Sequence, residues 1–163
     1  MTQLRAGITA APITLPDLEG NPVTVDPFGP GPKVVVFYKL SCPTCRFGLP
    51  FYDRLYRAFE GSGGAIYGIM QTSPEESREF ASAHGIRMPQ LIDGPPYAAS
   101  RAYYILNVPT MVVVDGAGRV ALASTAFVKE DIRRAAVLLA ESAKRPPPEI
   151  FTADEDVPAF RPG

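Results

Sequence analysis

Apolar positions come in short, dense runs separated by proline- and glycine-rich breaks. Residues 33–40 carry Val34, Val35, Val36, Phe37 and Tyr38 in succession. A run that is apolar on both faces reads as a central, fully buried strand. Residues 65–71 and 110–115 have the same character and predict two more buried strands. Gly116-Ala117-Gly118 turns the last of these into residues 119–124, so the two form a hairpin. Near the start, two short alternating segments within residues 11–25 flank Gly20-Asn21 and predict a smaller hairpin. Residues 27–32 are a Pro/Gly loop, and residues 88–93 a short extended piece.

Helical spacing occupies the intervals. Residues 47–60 carry apolar side chains at that period, with Pro50 placed to kink the helix or to shift its start. Ser73-Pro74-Glu75-Glu76 is a helix start, with Ser73 as N-cap, Pro74 in the first position and acids in the first turn. That helix runs to His84 and stops at Gly85. Residues 97–106 read as helical. Residues 129–144 form an amphipathic helix with Ile132, Ala136, Leu139 and Ala140 on one stripe. Parallel strands joined by helices, followed by an antiparallel hairpin, make an α/β fold: a mixed central sheet flanked by helices on both faces. Residues 1–144 are expected as one domain. Residues 145–163, proline-rich and then acidic, are expected as a tail without regular structure, either laid on the surface by Ile150 and Phe160 or disordered.

Composition narrows the function. The chain has 163 residues, a net charge of −1 and one histidine, so it is long enough for a core and has no basic surplus for nucleic acid. No run reaches membrane-span length. The first six residues lack the apolar core of a secretory signal, which predicts a cytoplasmic protein, or one from which a signal was removed. There are two cysteines, Cys42 and Cys45, at Cys-x-x-Cys spacing directly after the central strand. Two are too few for a disulfide scaffold, and half of a zinc site would lack partners beyond His84. A redox pair remains. A helix starting there would offer its unpaired N–H groups to a thiolate at Cys42 and enclose Cys45 in its first turn. Lys39 and Arg46 are the cations placed to tune the Cys42 thiol; the bland reading of each is a solvated side chain. No metal or cofactor is called for.

The Cys-Pro-Thr-Cys after an apolar strand, Asn107-Val108-Pro109-Thr110 before another, and the hairpin from Asp115 to Val120 together resemble the thioredoxin-like superfamily. More narrowly, they resemble its redoxin branch, which includes TlpA-like thiol–disulfide oxidoreductases and the AhpC-TSA peroxiredoxins. The likeness covers residues 10–144. It implies a thioredoxin-like fold with an N-terminal hairpin extension. It implies a cis Val108–Pro109 bond facing the disulfide, where a substrate chain pairs with Val108 as an added strand. It implies disulfide exchange with a dithiol or disulfide protein, or a small thiol, with Cys42 attacking and Cys45 resolving.

The departures from that branch are specific. Ser41 stands where the TlpA-like pattern has Trp. Gly48 replaces a proton-managing Glu, and Val36 replaces the buried Asp of thioredoxins, so the usual proton acceptor for Cys45 is missing; Lys39 or water is left as its substitute. A peroxiredoxin-like peroxidase, with Cys42 peroxidatic and Cys45 resolving, is the alternative. Against it, Lys39 occupies the place of the orienting hydroxyl. A redox-inert thioredoxin-like binding module is the third reading.

Overall fold

The computed structural model describes residues 4–163. The signal-free start read from the first six residues therefore lies partly outside the described residues. Strands β1 (Ile13–Pro16) and β2 (Pro22–Val25) form the expected antiparallel hairpin. Its turn is held by the Asp17 carboxylate, which accepts from the N–H groups of Glu19 and Asn21.

The main sheet has five strands: β3 (Lys33–Tyr38), β4 (Ala65–Met70), β5 (Gln90–Ile92), β6 (Thr110–Val114) and β7 (Val120–Thr125). Their order is β5-β4-β3-β6-β7. β3 pairs parallel with β4 and antiparallel with β6, so the sheet is mixed with the apolar run at its centre. All six residues of β3 are buried. Alternate side chains serve opposite faces. Val34, Val36 and Tyr38 join the core under α1 (Pro43–Phe59) and α4 (Lys129–Ala143), to which Phe80 of α2 (Pro74–His84) is added. Val35 and Phe37 join a second core with Ile13 and Val25 of the hairpin and with Ala99 and Tyr103. Gln90 accepts the Tyr38 hydroxyl at 3.1 Å, so the one polar atom that β3 carries into the core at its sheet end is satisfied.

α2 begins and ends as its sequence dictates. The Ser73 hydroxyl accepts the Glu76 N–H, and Gly85 takes the left-handed conformation at φ 63°. α1 starts at Pro43 and runs through Pro50 to Phe59, so Pro50 neither delays nor ends it.

Two expectations are corrected. The helix read over 97–106 is confined to α3 (Ala98–Ala102). Tyr97 and Tyr104 bracket it with positive φ, 59° and 50°. The buried Asp93 carboxylate holds its start by accepting the N–H groups of Ala99 and Ser100. The tail is also ordered. Of the two expected anchors, Ile150 is buried, with Phe151 beside it, whereas Phe160 is exposed. Phe160–Arg161 is a strand, β9, paired antiparallel with β8 (Phe127–Val128), a two-residue strand too short to show in the sequence pattern. The physical reason is local pairing: β8 would otherwise expose its backbone N–H and C=O groups as an open edge.

Candidate functional site

The site lies at the carboxyl ends of β3 and β4, the end at which parallel α/β sheets place their ligands. β3 delivers Lys39, Leu40 and Ser41 into a bend, and Cys42 becomes the N-cap of α1. Its sulfur accepts the Cys45 N–H at 3.2 Å, as a serine or aspartate oxygen would at this position. The Cys42 S–H donates to the Val108 carbonyl at 3.6 Å. Both cysteines are free thiols. Cys42 retains 7% exposure and Cys45 none, so a substrate can reach only the first.

Burial pushes the Cys45 thiol far up, and the neighbouring Cys42 thiol pushes it further; a backbone hydrogen bond and the positive charge of Lys39 pull the other way without reversing it. The departures noted in the sequence explain why nothing stronger opposes burial. Gly48 holds the place of the missing acid, and a side chain there would be tightly crowded: a Cβ would lie 3.0 Å from the Tyr52 ring and 3.2 Å from Phe127, so one of the two rings would have to give. Tyr52 is itself a buried neutral phenol whose own ionisation is suppressed by burial and then by the two thiols.

Between pH 9 and 10 the unfolded chain releases the Cys45 proton at its ordinary value of 9.0, while the reduced folded chain keeps it. The native state then binds more protons, so unfolding free energy falls as pH rises; the contribution is intact below pH 9. Reduced wild type should lose about 1 kcal/mol more than Cys45→Ala over that interval in chemical denaturation. Equal losses would show that Cys45 titrates normally.

Val108–Pro109 is a cis peptide, as expected, and Val108 and Cys42 line the same cavity of about 350 Å³. Lys39, Pro43, Gln71 and Leu106 complete its wall, with Gly163 at the edge. Lys39 is thus brought to the thiols. Arg46 is not: its guanidinium lies 5.6 Å over the Phe80 ring, beside Glu76 and Glu79 of α2. Gln71, Leu106 and Gly163 were not anticipated. Gln71 could have been, because it follows β4 at the same sheet end as Cys42. Leu106 and Gly163 reach the site through loop and tail paths that carry no periodic signal. Among the described residues no cluster of metal-ligating side chains is present.

Residues 6–123 match the AhpC/TSA family. The chain belongs to that family. Within the wider set of similar proteins, the thiol-disulfide oxidoreductase ResA of Halalkalibacterium halodurans is 26% identical over 129 residues, covering 78% of this chain and 73% of that protein. The chloroplastic peroxiredoxin Q of Sedum lineare is 33% identical over 88 residues, which is 53% of this chain and 47% of that protein. The thioredoxin domain of a thiol-disulfide oxidoreductase from Bacteroides vulgatus superposes with a TM-score of 0.68 at 26% identity, covering 80% of this chain and 94% of that domain. The AhpC/TSA match and this superposition account for the mixed five-stranded sheet flanked by helices and for the hairpin extension. Among the described residues no helix is long and apolar enough to cross a membrane.

Proposed function

We propose that the protein is a thiol–disulfide oxidoreductase acting through Cys42 and Cys45. The observation that carries this reading is the position of the Cys42 sulfur, N-cap of α1 and opposite the Val108 carbonyl, with Cys45 enclosed one turn behind. A thiolate at Cys42 keeps the Cys45 N–H as donor and gains the positive end of the helix. It attacks one sulfur of a substrate disulfide; the S–S bond breaks, a mixed disulfide forms and the other half leaves as a thiolate. Cys45 then gives up its proton and attacks the Cys42 sulfur. The intramolecular disulfide closes and the second half of the substrate leaves as a thiol. The protein dithiol is oxidised by two electrons and the substrate disulfide is reduced by two. A dithiol protein partner restores the pair by the same exchange run in reverse.

Val108 and Pro109 present the backbone along which an extended substrate segment lies. Lys39 is the cation that shares the cavity and eases loss of the Cys45 proton, whereas Arg46 serves the packing of α1 on α2. The likeness to peroxiredoxin Q favours one further reading, with Cys42 attacking peroxide.

One experiment separates the two. The reduced protein is mixed with hydrogen peroxide and, separately, with a protein disulfide, and the second-order rates are compared with those of free cysteine. We expect peroxide oxidation within about ten-fold of an ordinary thiolate and disulfide exchange well above it. Peroxide oxidation many orders faster than free cysteine would make the peroxidase reading the correct one.

A further inference from the structure

We propose that residues 159–163 are a strap that occupies one side of the substrate groove and selects which partners reach Cys42. Small thiols and disulfides enter beside it, and a protein chain must displace it. The proposal rests on the oxidoreductase reading for what the groove does, and on the geometry of the tail for what fills it.

The tail has a fixed root and a lightly held end. At the root Ile150 and Phe151 are buried, and the Phe151 ring packs 5.2 Å from Phe51. Arg54 donates to the Ile150 carbonyl at 3.1 Å and pairs with Glu155 at 2.7 Å. From there the chain turns toward the thiols. The Lys129 N–H donates to the Ala159 carbonyl at 3.0 Å, and β9 pairs with β8 in the register Phe127↔Arg161 and Val128↔Phe160. The Arg161 guanidinium lies 4.6 Å over Phe47. Thr44, between the two cysteines, donates its hydroxyl to the Pro162 carbonyl. Gly163 rests on the peptide between Val108 and Pro109, so closely that a Cβ there would run into the Val108 carbonyl.

The strap therefore spans the gap between α1 and the Val108–Pro109 turn, two walls that an incoming substrate strand would have to touch. Its own side chains give it little grip. Ala159, Phe160, Pro162 and Gly163 are exposed and Arg161 is half-buried, so backbone pairing and two polar or cation–π contacts hold it. A segment ordered by such contacts, with no buried apolar side chain, is the part of a fold that opens first. On the other side the cavity stays open. Gln71, Ile105 and Leu106 are shared with a second cavity of about 810 Å³, which gives a small ligand its path to Cys42.

The test measures access to Cys42 directly. In a Cys45→Ser background, where Cys42 is the one thiol, alkylation rates are measured with N-ethylmaleimide and with a polymer-linked maleimide. The chemistry of the two reagents is the same, so the ratio of rates reports steric access alone. The full chain is compared with a chain ending at Pro158, which keeps the buried Ile150 and Phe151. Because the strap taxes only bulky partners, its removal should raise the polymer-to-small ratio about ten-fold. A ratio unchanged within two-fold overturns the proposal. Should the shortened chain not fold, the full-length Gly163→Ala variant decides in the same way, since its Cβ forces the end of the strap off Val108. Exchange with a protein disulfide and with a small disulfide is measured on the same pair of chains with Cys45 restored. A raised alkylation ratio without exchange in either chain keeps the strap and removes the oxidoreductase reading.

Discussion

Cys42→Ser will abolish disulfide exchange, and Cys45→Ser will preserve the first attack while trapping its product. The first loss should be about 10³-fold or more, because a hydroxyl is neither ionised at neutral pH nor able to form the mixed disulfide. Folding does not explain such a loss. Cys42 is the N-cap of α1, and serine is a preferred N-cap residue, so the Cys45 N–H keeps an acceptor. Denaturation of Cys42→Ser should therefore stay within about 1 kcal/mol of reduced wild type. In Cys45→Ser the mixed disulfide at Cys42 has no internal thiol to resolve it, and Cys45's full burial means that no external thiol takes its place by that route. The covalent adduct should accumulate and be seen by non-reducing electrophoresis and mass. Full exchange by Cys42→Ser would show that the chemistry lies elsewhere. Retention of a partner by the double serine variant, with no adduct from Cys45→Ser, would instead identify a redox-inert binding module.

The second large effect is structural. Phe127→Ala should cost about 3–5 kcal/mol, read from the denaturation midpoint. Phe127 is fully buried, with ring centroids of Phe47 at 5.2 Å, Phe51 at 5.6 Å and Phe151 at 6.4 Å. These rings come from α1, β8 and the tail, so truncation opens a cavity where three segments meet and none can collapse without moving the others. The helix that carries the cysteines is one of the three walls. Phe127→Leu refills much of the volume and should cost about 1–2 kcal/mol. A cost below 1 kcal/mol for the alanine variant would show that the cluster is not a joint between tail and helix.

The thiol pair and its setting were legible because each part is a local property of the chain. A run from Val34 to Tyr38 can only be a strand covered on both sides, and a Cys-Pro dipeptide directly after it suits the first turn of a helix, since proline at that position lacks only an N–H that would have no partner. Ser73 and Gly85 marked the ends of α2 by the same kind of local hydrogen-bonding and backbone preference. Lys39 was recognisable as a cation near Cys42 because only Leu40 and Ser41 separate them along the chain.

Arg46 shows where this reasoning ends. It is adjacent to Cys45 in sequence, but α1 rotates it toward Phe80, with its guanidinium 5.6 Å over that ring. The start of the short α3 is held by Asp93, a buried carboxylate from the end of another strand. The tail is the largest difference. Residues 145–163 have no period and many prolines, so by composition they cannot form a core of their own. They become ordered because the folded domain supplies what they lack: an aromatic pocket for Phe151, an unpaired strand edge at Phe127–Val128, and a hydroxyl at Thr44. The buried strands, the helix starts and the chemistry of the two sulfurs could be read along the chain, because strand burial shows in runs of apolar residues and helix starts in local capping residues, although the strands themselves pair across tens of residues. Lys39, Val108 and Pro109 were foreseen beside those sulfurs; Gln71, Leu106 and the tail were not, because their places depend on surfaces assembled from distant segments, Thr44 and Pro162 being more than a hundred residues apart.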